Sequence, residues 1–280
     1  MKPAPFEYAA PASAEEALAL LGDDARVLAG GQSLVPLLNL RLARPTRLVD
    51  VNGIAELAGL RRRGGTLWIG ATVRQAALER SPLVARHWPL LAQAVRHVGH
   101  AAVRARGTVG GSVAHADPSA ELPVALTALD ARFHVRSATA TRSLSAAELF
   151  RGPLTTAIAG GELLVAIEVP PPPPGARSAF AEYAPTHASF AHAGAAVVRA
   201  PGHAAIALLG TGSHPLRASV AERALLAGAD AREAAQLAAE LIDHPHRRAL
   251  VAALAREAIE AAAPVPPSAS PPAAGCEDSA

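Results

Sequence analysis

Two short stretches hold the residues best suited to chemistry. Ala29-Gly30-Gly31-Gln32-Ser33 and Thr108-Val109-Gly110-Gly111-Ser112 each place a Gly-Gly pair behind a small or hydroxyl residue and ahead of a polar one. Paired glycines let the backbone turn through φ > 0 and let amide N–H groups approach an anion with no Cβ in the way. A helix N-terminus behind such a turn adds about half a positive charge. Two turns of this kind facing each other could hold both phosphates of a diphosphate on amides and hydroxyls, with Ser33, Thr108 and Ser112 as hydroxyl donors. That suits a chain whose only lysine is Lys2. Taken singly, either pair is equally compatible with a plain tight turn. Neither is GxGxxG, and neither carries the Lys-Ser/Thr of a P-loop.

The other reactive side chains form no catalytic set. His97, His100 and His115 flank the second glycine pair, but their spacing makes no metal site with a carboxylate. Asp117 reads as a helix N-cap before Pro118, and Glu121 sits one turn further on, where it complements a helix dipole or meets a sugar or ring hydroxyl. GxSxG, a Cys–His pair and a carboxylate dyad are all absent from the sequence. No catalytic residue and no metal ligand is therefore assigned. A cradle without an acid–base set fits a cofactor that brings its own chemistry.

Composition narrows the classes further. The formal net charge is +2, and the one basic run, Arg61-Arg62-Arg63, ends in Gly64-Gly65 like a hairpin tip. Without a wider basic cluster and interleaved aromatics, nucleic acid is not an expected partner. Cys276 is the single cysteine, which excludes an intrachain disulfide and a cysteine-ligated iron–sulfur cluster within the chain. The N-terminus lacks a signal-peptide apolar run and no stretch suits membrane insertion, so a cytoplasmic location is expected.

Elements that would position the two motifs follow from capping and periodicity. Ser13 and Glu16 form a capping box for a helix closed near Gly22; residues 26–31 form a strand, Ser33 caps a second helix, and 47–51 form another strand. This alternation favours a small parallel layer over 1–55. A hairpin over 57–71, a box from Thr72 to Gln75 opening a helix, helices after Ser81 and over 89–98, and a helix from Asp117-Pro118 come next. Strands at 133–137 and 141–144, a turn capped by Ser145 and a strand at 162–170 complete a second part, 56–170. Pro170 to Pro174 forms a stiff join. Beyond it, 175–262 offers three strands and three alanine-rich helices, and 263–280 is a low-complexity tail expected to be disordered.

The stretches AGGQSLVPLLNLRLARPTRLVDVNGI, IGATVRQAALE, VRARGTVGGSVAHADPSAELPVALTALDA and GPLTTAIAGGELLVAIEVPPPPPGAR closely resemble the FAD-binding medium subunits of bacterial molybdenum hydroxylases, the carbon monoxide dehydrogenase and xanthine dehydrogenase family. The resemblance runs in order from about residue 2 to 262. It implies an α+β fold: a PCMH-type (vanillyl-alcohol-oxidase-like) two-part FAD domain, then a domain of three antiparallel strands and a three-helix bundle. It implies non-covalent FAD lined by Val27, Leu28, Ala29, Gly30, Gly31, Gln32, Ser33 and Leu34 and by Thr108, Val109, Gly110, Gly111 and Ser112. It also implies an acidic contact at Glu121 and a strand approaching the flavin at Leu163 or Leu164. The implied partners are a [2Fe–2S] small subunit and a molybdenum-cofactor large subunit in a dimer of heterotrimers, with electrons leaving to an external acceptor. Thr186 and Ser189 stand where such subunits often carry Arg and Asp, and HPHRRAL replaces a longer stretch that often ends in Tyr-Arg. Two further functions stay open at this level: a stand-alone FAD-dependent oxidoreductase of the same fold, and a non-redox nucleotide-binding module.

Overall fold

A computed structural model describes residues 2–263 apart from His187. The disorder expected for 263–280 falls, except for Ala263, outside the described residues, as does Cys276. The chain begins with β1 (Glu7–Ala9), α1 (Ala14–Leu20), β2 (Ala25–Leu28), α2 (Leu34–Asn39) and β3 (Arg47–Asp50). The strands lie in the order β1-β3-β2 and pair in parallel, as the helix–strand alternation predicts. β1 is an addition: three residues before a Pro-Ala turn carry too little pattern to mark a strand. Ser13 accepts from the Glu16 N–H, while the Glu16 carboxylate reaches back one residue further, to the Ala12 N–H at 2.9 Å. Ala14, Leu18, Val49, Ile54 and Leu163 fill the small core beneath this layer.

The next stretch carries β4 (Leu60–Arg63), β5 (Thr66–Gly70), α3 (Gln75–Arg80), α4 (Pro82–His87), α5 (Pro89–His97), α6 (Ala101–Arg106), α7 (Val109–His115) and α8 (Glu121–Ala128). It continues through β6 (Arg132–Arg136), β7 (Thr141–Leu144), α9 (Ala146–Leu149), β8 (Phe150–Gly152), β9 (Thr155–Thr156) and β10 (Leu163–Val169). The order β4-β5-β10-β6-β7 forms an antiparallel five-stranded sheet. The hairpin tip falls on Gly64 and Gly65, at φ 55° and 90°, values that favour glycine. Ser81 caps α4, and Ser145 with Glu148 forms a full capping box at α9.

Three local expectations are corrected. The Thr72–Gln75 box does not form: Thr72 lies buried in the turn closed by Val73 N and Gly70 O, its N–H donating to Leu57 O, and α3 starts only at Gln75 with no side-chain cap. Asp117 does not cap a helix; it accepts from the Ser119 N–H in a turn, and α8 begins at Glu121 behind Ala120. Gly110 and Gly111 belong to α7 rather than to a loop.

The last part contains β11 (Arg177–Tyr183), β12 (Ala193–Ala200), β13 (His203–Leu209), the two-residue β14 (Leu216–Arg217), α10 (Ser219–Leu226), α11 (Ala231–Ala239) and α12 (Pro245–Ala261). Its antiparallel sheet therefore has four strands, not three; β14 is held by Arg217 through bonds to Glu222, Asp130 and Thr127 O. Side-chain alternation gives this sheet two apolar faces. Ala196, Val198, Ala205, Ala207 and Leu209 join the core of the preceding part, whereas Ala195, Val197, Ile206 and Leu208 pack under α10–α12. The sheet is thus the shared wall that holds the helical layer against α5 and α8. No helix among the described residues is long and apolar enough to cross a membrane.

Candidate functional site

The two glycine motifs meet. A Cβ built on Gly30 would lie 2.5 Å from Arg106 O and 2.7 Å from Gly107 Cα. One on Gly111 would lie 3.6 Å from the Ala29 Cβ. Gly30 is therefore glycine because the backbone before the second motif runs against it. Gly110 has the same reason: its Cβ would stand 2.6 Å from Ala71 O, where its own N–H donates at 3.0 Å. Only Gly31, at φ 73°, uses the left-handed conformation expected of both pairs. The second motif instead enters a helix in which Gly110 must lack a side chain because Ala71 lies against it.

Hydrogen bonds over that seam fix the second motif. Gln75 N donates to Gly107 O at 2.9 Å and Val109 N to Val73 O at 2.9 Å. Thr108 caps α7, its hydroxyl accepting from the Gly111 N–H at 3.0 Å. The stretch ahead of it is anchored by Arg104, which pairs with Glu79 at 2.8 Å and donates to Val98 O and Gly99 O.

A polar network not legible in the sequence ties the motifs together. Asn52 Nδ2 donates to Ala29 O at 2.8 Å, and Asn52 Oδ1 accepts from Arg74 at 2.7 Å. The other guanidinium arm of Arg74 donates to Arg106 O. Asp50 accepts from the Asn52 N–H and from the Tyr8 hydroxyl, at 2.9 and 2.6 Å. Burial pushes the Asp50 carboxyl upward, but the bonds from Tyr8 and Asn52 and the charge of Arg74 outweigh it and hold it below its ordinary value. A charged carboxylate thus orients Asn52, which holds the first turn while Arg74 holds the second. These four residues lie up to 66 positions apart (Tyr8 to Arg74), so no short motif reveals them.

Several donors at the motifs are left without an acceptor. Among the described residues, the N–H groups of Gly30, Gly31, Gln32 and Ser33 have no acceptor, and the hydroxyls of Ser33 and Ser112 have no partner. Ser33 stands at the start of α2 without capping it, contrary to expectation, so its hydroxyl is available. Thr108 keeps its hydroxyl proton free to donate, since the oxygen is the acceptor for Gly111. With α2 and α7 only six and seven residues long, what the motifs can offer an anion is direct donors rather than a long helix dipole.

The remaining residues singled out in the sequence take different places. Val27 and Ala29 lean on the small core that contains Leu163, whereas Leu164 belongs to the large core; both leucines are buried. Leu28 and Leu34 are partly exposed beside the first turn, and Val109 is fully buried. Glu121 is buried at the first turn of α8, and burial pushes its carboxyl up to about 8. The charges of Glu182 and Asp117 act in the same direction; its backbone N–H and His97 oppose them. Glu121 is therefore a protonated acid at neutral pH, able to donate a hydrogen bond. His97 is held by Glu182 at 3.0 Å, and His115 lies 4.0 Å from Asp117. Thr186 and Ser189 bond to each other in the exposed turn between β11 and β12.

Comparison with known proteins agrees with this geometry. Residues 4–172 match the model of the FAD binding domain in molybdopterin dehydrogenase. The chain is 43% identical over 235 residues to the 6-hydroxypseudooxynicotine dehydrogenase complex subunit alpha of Paenarthrobacter nicotinovorans, covering 81% of this chain and 79% of that protein. It is 39% identical to the carbon monoxide dehydrogenase medium chain of Hydrogenophaga pseudoflava, with 86% of each covered. A solved structure of carbon monoxide dehydrogenase from Hydrogenophaga pseudoflava superposes with a TM-score of 0.88 at 38% identity, over 94% of this chain and 98% of that one. The chain belongs to the family of FAD-binding domains of molybdopterin dehydrogenases, and FAD is its cofactor.

Proposed function

We propose that the chain is the electron-transfer subunit of a molybdenum hydroxylase complex, and that its paired glycine motifs clasp the diphosphate of FAD. The observation that carries this reading is the run of unpartnered N–H groups at Gly30 to Ser33 beside the hydroxyls of Ser33, Thr108 and Ser112. In this reading the first turn and Leu34 line one side of the cofactor, with Val27, Leu28 and Ala29 shaping its approach. Thr108 to Ser112 line the other side. Glu121 donates its proton to a cofactor oxygen. Leu163 and Leu164, being core residues, support the cofactor floor from behind. FAD supplies the redox chemistry; the chain binds it, orients it and limits its access to water.

The partners in this reading are a [2Fe–2S] small subunit that delivers electrons and a large subunit with the molybdenum cofactor, in a dimer of heterotrimers. An external acceptor takes the electrons away. Relatives whose names describe complex subunits support that assembly, and the lone cysteine supports a cytoplasmic location. The units 1–55, 56–170 and 175–262 are the domains we assign. The purified full chain should be yellow, and Gly30→Val and Gly110→Val should lose flavin retention. Reduced iron–sulfur partner should bleach the bound flavin, while organic substrate added to this chain alone should not. A wild type that stays colourless in excess FAD overturns the reading.

A further inference from the structure

Away from the glycine motifs, unsatisfied polar groups gather in one place, the seam between α5 and β11. Among the described residues, five buried side-chain atoms have no hydrogen-bond partner, and three of them, Gln93 Oε1, Ser178 Oγ and Glu182 Oε2, lie here. Gln93 and His97 stand about one turn apart on α5, and Ser178, Phe180 and Glu182 leave one face of β11. They meet in order along the seam. The Gln93 amide donates to Ser178 O at 3.3 Å, and the His97 ring tilts against Phe180 with centroids 5.3 Å apart. One step further on, His97 Nδ1 lies 3.0 Å from Glu182 Oε1.

The His97–Glu182 pair is lopsided. The His97 side chain is 41% exposed and that of Glu182 only 7%, so the imidazole stands at the solvent end and the carboxylate inside. Only Oε1 of Glu182 has a partner; Oε2 is sealed off with none. A charge so placed is damped neither by water nor by a second hydrogen bond, and its field falls on the nearest ionisable group.

Glu121 is in reach of that field. α8 packs against α5, and Glu121, its first residue, feels the charges of Glu182 on β11, of His97 on α5 and of Asp117 in the turn ahead of the helix. Asp117 already has a donor in the Ser119 N–H and lies 4.0 Å from His115, whereas Glu182 keeps one oxygen free. Arg217 meets α8 at its other end, through Thr127 O. β12 and β13, also packed on α8, bring the apolar Ala196, Ala205 and Ala207 to that core.

We propose that Glu182 is a positioning residue for Glu121: clamped by His97, its half-partnered carboxylate keeps the proton on Glu121, which then meets the cofactor as a hydrogen-bond donor. The meeting with FAD rests on the function proposed above; the hold of Glu182 on the Glu121 proton does not. The test reads the Glu121 carboxyl by carbon-13 NMR of the full apoprotein labelled at glutamate Cδ, its resonance being the one missing in Glu121→Gln. Its midpoint is expected near pH 8 in the wild type. In the isosteric Glu182→Gln, and in Glu182→Met as a second uncharged replacement, it should fall by about one pH unit or more. His97→Gln disturbs the same bond but removes a charge of opposite sign, so it should not lower the midpoint; a merely structural seam would respond alike to both. Titration of FAD against pH reads the consequence: a midpoint one unit lower weakens binding roughly fivefold at pH 8. A Glu121 midpoint unmoved in the uncharged variants, or lowered equally by His97→Gln, overturns the proposal. A lowered midpoint with an unchanged Kd supports the hold of Glu182 and overturns the Glu121–FAD contact instead. A chain that binds no FAD overturns the proposed function, while the NMR midpoints still decide the role of Glu182.

Discussion

Replacing Gly30 by alanine adds one methyl group where the two glycine motifs touch. That methyl would lie 2.5 Å from Arg106 O, about 0.9 Å inside the 3.4 Å at which ordinary contact begins. The opposing atoms are backbone, held by Arg74 and by the Gln75–Gly107 bond, so neither side yields cheaply. Overpacking of this kind costs about 1–3 kcal/mol of stability. Separating the motifs by nearly 1 Å would also break at least one charge-assisted bond to phosphate, about 1.5–3 kcal/mol, or roughly 10- to 150-fold in Kd. Gly22→Ala is the control, because a Cβ there meets nothing within 4 Å. Flavin fluorescence titration at a temperature well below both melting points separates affinity from folding, and thermal denaturation of the apoprotein reports stability. A Gly30→Ala chain that binds FAD as tightly as Gly22→Ala, with the same Tm, would refute the reasoning.

Further expectations concern the supporting residues. Asn52→Ala should cost about 1–3 kcal/mol and weaken FAD binding without altering the flavin spectrum, since Asn52 holds Ala29 O and Arg74; equal Kd values would remove it from the positioning network. Thr108→Val should lose the cap on Gly111, about 1 kcal/mol, with Thr108→Ser restoring it in denaturant titrations. Glu121 carries a pH signature. Its folded carboxyl is raised to about 8 from an ordinary 4.5, so its stabilising contribution is complete below 4.5 and is lost as pH rises to 8. The loss reaches about 1.4 kcal/mol per pH unit and on the order of 5 kcal/mol in total. His97, also raised, by its bond to Glu182, loses stability in the same direction. Glu121→Gln should therefore flatten the apoprotein's decline between pH 5 and 8; an unchanged slope would mean that Glu121 is ionised in the fold.

Much of this architecture is written locally. Ser13, Ser81 and Ser145 mark their helices, and Gly64-Gly65 marks its hairpin, because capping and left-handed turns are decided within four residues. The glycine motifs are legible as a pair, but the reason for each glycine is not. Gly30 and Gly110 answer to Arg106 and Ala71, partners that only the tertiary fold brings close. The same limit explains Thr72, whose capping pattern is overridden by a turn and a long-range backbone bond to Leu57. It also explains Asp117, which a nearer donor, Ser119, draws into a turn. Tyr8, Asp50, Asn52 and Arg74 escape notice because each is an ordinary polar residue in isolation. β14 has only two residues, and its support comes from Glu222 and Asp130 through Arg217.

The central claim concerns where the diphosphate lodges, and a crystal structure of the FAD-loaded chain measures that directly. The account predicts phosphate oxygens within about 2.7–3.2 Å of the main-chain nitrogens of Gly30 to Ser33 and of a hydroxyl from Thr108 or Ser112. A diphosphate found beyond reach of both glycine motifs would contradict it.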